Sequence, residues 1–276
     1  MNEQSNVLSL AEPKGEILVF GGAYSNLQAL EAMMEMANEL QIPASNIICT
    51  GDVVGYCANP EEVVQKVRNW GIHVIAGNVE LQLRDGEEDC GCDFSEGGTC
   101  DLYSKQWYPF AQSKISKASI DWMKGLPEFI RFSYAGKKVA VVHGSYEHTS
   151  EFIFKSTDWE VKAKNLELMN ADVVLAGHCG LPFSNIRNNK HWLNAGVIGM
   201  PANDATTRVW FMTLSSENGF DFKHQKLNYQ HAMAAEQMRK AKLPEAYAKT
   251  LETGLWDNCE ILPDQETREQ GQLLQF

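Results

Sequence analysis

The sequence predicts an α/β fold in which buried strands alternate with amphipathic helices. Ile17 to Phe20 is a short apolar run, and the apolar residues between Leu27 and Leu40 recur at helical spacing. The unit repeats when the apolar run Ile47 to Cys49 is followed by a helical segment from Asn59 to Trp70. Strands that alternate with helices in this way pair in parallel through right-handed crossovers, so we expect a parallel sheet.

Further strands follow the same pattern. Ile72 to Ala76 reads as the third strand of the first series, and Ala171 to Ala176 reads as another buried strand. Between them, Phe129 to Tyr134 and Lys138 to Val142 flank Ala135-Gly136-Lys137, which predicts a hairpin.

Four candidate metal ligands, Asp52, Asn78, His143 and His178, each follow one of these strands and stand next to a glycine. Ligands of parallel sheets gather at the carboxyl ends of the strands, and a glycine lets the backbone approach an ion closely. One carboxylate, one amide carbonyl and two neutral imidazoles suit a divalent manganese, iron or zinc ion. The sequence therefore predicts a site for one divalent transition metal.

Five short motifs carry a family resemblance, which extends from about Ile17 to Leu214. In chain order they are Gly51-Asp52-Val53-Val54-Gly55-Tyr56, Gly77-Asn78, Val142-His143-Gly144, Gly177-His178 and Asn194-Ala195-Gly196-Val197-Ile198-Gly199. The set resembles that of the calcineurin-like metallophosphoesterases, especially the compact bacterial phosphodiesterase branch. The resemblance implies a four-layer fold, a two-sheet β-sandwich flanked by helices, and a single domain over residues 1–276. It also implies that Asp52, Asn78, His143 and His178 hold one of the two metals of the family.

The motifs for the second metal of the family are altered. Where the family has Asp-x-His-Gly-Asn, this chain has Gly22-Ala23-Tyr24-Ser25-Asn26, and Gly180 replaces the last His of Gly-His-x-His. Three of the four ligands are therefore missing, and a second metal is doubtful. Val79 also replaces the histidine that assists the leaving group, a loss of about two to four orders of magnitude in rate if nothing substitutes for it.

Replacement groups for that histidine are Tyr24, Glu147 and His148, and we expect Asp52, His143, Tyr24 and His148 to be the catalytic residues. The leading function is a metal-dependent phosphoester hydrolase, either a phosphatase or a phosphodiesterase, with a small phosphorylated substrate. A second hypothesis is a pseudoenzyme that binds a phosphorylated ligand or a protein partner without turnover. Candidate phosphate contacts are Lys155, Arg187 and Arg208.

A third hypothesis, a thiolate-containing metal centre, comes from the cysteines. Cys90, Cys92 and Cys100 lie in an acidic, glycine-rich insert at residues 84–101, close to the Asn78 motif. Thiolates near a vacant ligand position could bind iron or zinc. The spacing is not that of a standard zinc or cluster site, and we expect the insert to be a solvated lid.

Composition limits the remaining possibilities. The net charge of −12 and the lack of a basic stripe argue against nucleic acid as a partner. The polar segment from Met1 to Gly15 lacks the features of a signal peptide, no apolar run is long enough for a membrane span, and the seven cysteines do not form a secreted disulfide framework. We therefore expect a cytoplasmic protein, with its oligomeric state left open.

The last part of the chain predicts a hairpin and helices. The strands are Arg208 to Leu214 and Phe220 to Leu227, turned at Asn218-Gly219. A helical extension at residues 229–276 follows, and we expect it to cover the sheet.

Overall fold

Two β-sheets pack face to face, with helices on their outer surfaces, in a computed structural model that describes residues 6–276. The first five residues, part of the segment predicted to lack a signal peptide, lie outside the described residues. The predicted α/β sandwich with four layers is confirmed.

The first sheet contains both parallel and antiparallel pairs. Its strands in spatial order are β1 (Val7–Ser9), β5 (Phe129–Tyr134), β6 (Lys137–Val142), β7 (Val173–Ala176), β9 (Lys190–Ala195) and β8 (Pro182–Arg187). The predicted hairpin forms as β5 and β6, and β7 lies parallel to β6.

The second sheet contains the strands of the amino-terminal units. Its order is β11 (Asp221–Leu227), β10 (Val209–Ser215), β2 (Ile17–Phe20), β3 (Ile47–Cys49) and β4 (His73–Val74). As predicted, β2, β3 and β4 pair in parallel, and β10 and β11 form an antiparallel hairpin. β4 is shorter than the predicted Ile72 to Ala76, because the Ala76 amide donates to the Pro127 carbonyl instead of continuing the sheet.

Helices cover both outer faces. They are α1 (Leu27–Glu39), α2 (Pro60–Trp70), α3 (Asn78–Asp85), α4 (Thr99–Lys114), α5 (Lys117–Met123), α6 (Trp159–Leu168), α7 (His231–Lys240), α8 (Glu245–Thr253) and α9 (Asp264–Arg268), with a 3-10 turn at Ala44–Asn46. Within the described part of the chain, no helix has the length and apolar character needed to cross a membrane.

Local signals in the sequence set the helix ends. Asn26 caps α1, since its side-chain oxygen accepts a hydrogen bond of 3.1 Å from the Ala29 amide. α2 begins at Pro60 and is capped at its carboxyl end by Gly71, whose φ of 74° lies in the left-handed region that glycine adopts without strain. These ends place the loop with Asp52 directly between β3 and α2.

Three layers of core hold the sandwich together. The central layer joins inward-facing residues of the two sheets, such as Val19 of β2 and Leu175 of β7. On the outer face of the second sheet, α1 and α2 share a core with α7 and α8. In the extension, α7 and α8 therefore bury apolar residues, among them Met238 and Leu251, against the same sheet as the amino-terminal helices.

Candidate metal centre

Four side chains meet at the edge where the carboxyl ends of β3, β6 and β7 come together. Asp52 follows β3, His143 follows β6, His178 follows β7, and Asn78 is the first residue of α3. All four are buried. Because β3 belongs to one sheet and β6 and β7 to the other, this cluster lies at an edge shared by both sheets.

Nε2 of His143 is at the centre of the cluster. It lies 3.1 Å from Oδ1 of Asn78, 3.1 Å from Nδ1 of His178 and 3.2 Å from Oδ2 of Asp52. Ligand atoms bound at about 2.1 Å to one cation, at right angles to each other, are about 3.0 Å apart. The observed spacing is therefore that of donor atoms arranged around a single ion.

The proton positions support the same conclusion. Nδ1 of His143 donates to the Thr50 carbonyl at 2.6 Å, which leaves Nε2 to face the other three groups. One proton on Nε2 could satisfy only one of these three acceptors, whereas a dication could bind all of the donor atoms at once. The chemistry of the donor set thus fits a divalent metal.

The electrostatics of the cluster favour a positive charge. Burial opposes charging of His143, but the Asp52 carboxylate outweighs it and raises the pKa of His143. Burial likewise acts against the Asp52 charge, yet the His143 interaction holds the pKa of Asp52 below its usual value. Burial, with a contribution from His143, lowers the pKa of His178 to about 3, so this imidazole is neutral.

The cysteine insert fixes the orientation of Asn78. The side-chain nitrogen of Asn78 donates to the Cys90 carbonyl at 2.8 Å and to Sγ of Cys92 at 3.2 Å, so the carbonyl oxygen is directed toward His143. The prediction of a solvated lid is wrong for this part of the insert, because Cys90 is 2% exposed. The exposed residues of the insert lie on both sides of it, at 85–89, 93 and 95–97.

Glu80 connects two of the ligand loops, a role that the sequence analysis missed. Its buried carboxylate accepts hydrogen bonds from the amides of Asp52 at 2.8 Å, Gly77 at 2.9 Å and Val54 at 3.1 Å. Burial and the nearby Asp52 charge raise the pKa of Glu80 to about 7. The available signal was an acidic residue three positions after Gly77, at the start of α3.

Aromatic rings lie beside Gly22 and Gly180, two positions that the resemblance implies are altered ligand positions. Tyr24 is buried, and its amide donates to the Asp52 carbonyl at 3.1 Å. A Cβ atom on Gly22 would lie 2.6 Å from two carbons of the Tyr24 ring. Gly180 has a φ of +77°, and a Cβ atom there would lie 3.4 Å from the Trp256 ring.

Three other predicted residues are not part of the cluster. His148 and Glu147 are exposed, and Glu147 pairs with Lys164. The side chain of Val79 is packed in the core.

The three candidate phosphate contacts are also elsewhere. Arg187 lies 3.9 Å from Glu160, Arg208 lies 3.5 Å from Asp204, and Lys155 lines a separate cavity next to the carboxyl-terminal segment.

A cavity of about 80 Å³ adjoins the cluster. Asp52 and His178 form part of its wall, together with Tyr24, Cys92 and residues of the carboxyl-terminal extension such as Trp256. Among the described residues that line it, none is a lysine or an arginine.

Comparison with known proteins identifies the family. The profile of the calcineurin-like phosphoesterase superfamily domain matches residues 16–217. The chain belongs to the calcineurin-like phosphoesterase superfamily. The members of this superfamily are metal-dependent phosphoester hydrolases. In this chain, Asp52, His143 and His178 form a candidate metal-ligand cluster.

Solved structures share the fold of this phosphoesterase. A metallophosphoesterase from Sphaerobacter thermophilus is 22% identical with a TM-score of 0.69, and the match covers 88% of this chain and 100% of that one. A hypothetical protein from Pyrococcus horikoshii is 17% identical with a TM-score of 0.73, covering 90% and 100%. A sequence relative, an uncharacterised protein of Methanocaldococcus jannaschii, is 25% identical to this chain over 256 residues. The match covers 87% of this chain and 99% of the relative.

Proposed function

We propose that the protein hydrolyses phosphoesters with one divalent transition metal, held by Asp52, Asn78, His143 and His178. The observation that carries this proposal is the convergence of three donor atoms at 3.1 to 3.2 Å from Nε2 of His143. A manganese, iron or zinc ion bound there would polarise a phosphoryl oxygen and acidify a water molecule.

The surrounding residues prepare the ligands for this role. Thr50 holds the His143 ring through Nδ1, and the Cys90 carbonyl and Cys92 sulfur hold the Asn78 amide. Glu80 fixes the backbone of the Asp52 loop. Such contacts reduce the reorganisation that a ligand set needs to bind a metal.

Tyr24 is the candidate proton or hydrogen-bond donor to the substrate. Its side chain lines the cavity beside Asp52. Burial, reinforced by the Asp52 charge, raises the pKa of Tyr24 well above its usual value, so the phenol keeps its proton. We assign no role to His148, because it is exposed and is not among the residues that line the cavity.

Binding without turnover is the second candidate function. It is favoured by the position of the Tyr24 ring, which fills space beside Gly22 where the family has a metal ligand. A thiolate centre has less support, since the ligand atoms found together among the described residues belong to Asp52, His143 and His178. Cys92 interacts with the amide nitrogen of Asn78.

Hydrolysis of a panel of aryl phosphomonoesters and phosphodiesters, with manganese added, tests the proposal. We expect slow but measurable turnover, which Asp52→Asn and His143→Ala abolish because each removes a metal ligand. His148→Ala is the matched control and should retain the wild-type rate. Absence of turnover on the whole panel, with phosphate binding that still depends on Asp52, would instead establish the binding function.

A further inference from the structure

The cavity beside Asp52 and His178 has an aromatic wall that continues from the ligand cluster. Phe152 stacks on the His178 ring at 4.3 Å between centroids, with 27° between the planes, and Phe94 stacks on Phe152 at 6.5 Å. On the Asp52 side, the Tyr24 ring meets Tyr56 edge-on at 4.7 Å. A substrate group placed here would exchange water for apolar and aromatic surface.

The charge of the same cavity is low. A dication offset by the Asp52 carboxylate leaves about one positive charge, since the Asn78 and histidine ligands are neutral when they bind a metal. Asp257 is the second carboxylate in the cavity wall, where it accepts a hydrogen bond of 2.9 Å from the Tyr103 hydroxyl. No lysine or arginine among the described wall residues adds positive charge.

We propose that this cavity receives the compact, uncharged apolar ester group of a phosphodiester monoanion, an inference that rests on the proposed function. One negative charge matches the charge left at the ligand cluster. A phosphomonoester dianion would leave one negative charge without compensation beside apolar walls, which is unfavourable. The partly exposed Phe94 and Cys100 in the wall let the ester group extend toward solvent.

Three phosphorus acids whose organic groups are joined through P–C bonds, and which therefore resist hydrolysis, test the charge and the apolar group separately from turnover. Benzyl(methyl)phosphinate has one charge and an aryl group, dimethylphosphinate has one charge and no aryl group, and benzylphosphonate has the aryl group and, at about pH 9, two charges. Their dissociation constants for the manganese-loaded protein are measured by isothermal titration calorimetry. We expect benzyl(methyl)phosphinate to bind at least about tenfold more tightly than either of the others.

A pair of phenylalanine variants ties the preference to the cavity. Phe94→Ala should weaken binding of benzyl(methyl)phosphinate at least about fivefold, because it removes part of the aromatic wall. Phe110→Ala is the matched control, since Phe110 is also partly buried but does not line this cavity. It should leave the dissociation constant unchanged.

Several results would overturn the inference: equal or tighter binding of benzylphosphonate or dimethylphosphinate, no binding of benzyl(methyl)phosphinate, or equal effects of the two variants. The outcome is distinct from a failure of the proposed function. If the protein hydrolyses no phosphoester but binds the three acids in the expected order of affinity, the proposed enzymatic function is wrong. The inference about the class of ligand then still stands.

Discussion

The Tyr24 ring occupies the space that a side chain at position 22 would need. A Cβ atom on Gly22 would lie 2.6 Å from Cε1 and Cζ of Tyr24, well inside van der Waals contact. The glycine and the tyrosine are thus complementary. Because the ring fills this region, a carboxylate at position 22 has no room, which supports the proposal of a single metal site.

The first prediction concerns this pair. Gly22→Asp should lower the free energy of unfolding by about 1–3 kcal/mol, because it forces a side chain against the buried ring. It should not add a second metal. In the Tyr24→Ala background the same substitution should cost less, giving a coupling energy of about 1 kcal/mol or more in a double-mutant cycle followed by urea unfolding.

Tyr56→Ala provides the control for that cycle. Tyr56 contacts the Tyr24 ring, but the three atoms nearest to a Cβ added at position 22 all belong to Tyr24. Gly22→Asp should therefore couple less strongly to Tyr56→Ala than to Tyr24→Ala. Purely additive effects of Gly22→Asp and Tyr24→Ala would show that the ring does not exclude the carboxylate.

The second prediction is the pH dependence caused by Glu80 in the metal-free protein. Burial and the Asp52 charge raise the pKa of Glu80 from 4.5 to about 7, so the folded state binds more protons than the unfolded state between these values. The stabilisation from this group is complete below about pH 4.5 and is lost as the pH rises through about 7. The loss should be on the order of 3 kcal/mol.

Urea unfolding of wild type and Glu80→Gln at several pH values, with chelator present, measures this effect. The variant lacks the titrating group, so the difference in stability between the two proteins should change in favour of the variant as the pH rises. A difference that is constant from about pH 4.5 to about pH 8 would contradict the assignment to Glu80.

The third prediction concerns Cys92. Its sulfur accepts a hydrogen bond from the Asn78 side chain, so Cys92→Ala should weaken metal binding about tenfold without changing the number of metals. Cys259→Ala is the control, because Cys259 packs in another core. Metal affinity is measured by competition with a chromophoric chelator.

Spectroscopy distinguishes this supporting role from direct coordination. If Cys92 were a ligand, the iron or cobalt form of the wild type would show thiolate charge-transfer absorption that the variant lacks. We expect no such absorption in either protein.

Much of the fold and the position of the cluster could be predicted from local patterns. Apolar runs followed by Asp52, His143 or His178, each next to a glycine, identified strands and the loops after them. β1 was missed, because its three residues are largely exposed and pair with β5 across more than a hundred residues. Its sequence alone carries little strand signal.

The supporting contacts of the cluster depend on tertiary structure and were not predictable. Cys92 reaches Asn78 from a segment without regular structure, and Trp256 reaches Gly180 from the carboxyl-terminal extension. The exposed position of His148 was not predictable either. It stands five positions after His143, yet the loop carries it to the surface.

Titration of metal-free protein with manganese, with the initial rate of phosphodiester hydrolysis followed at each step, tests the central claim most directly. One ligand set made of Asp52, Asn78, His143 and His178 predicts that the rate rises linearly and saturates at about one metal per chain. A rate that continues to rise until about two metals are bound, as expected for a pair of ions about 4 Å apart, would contradict the account.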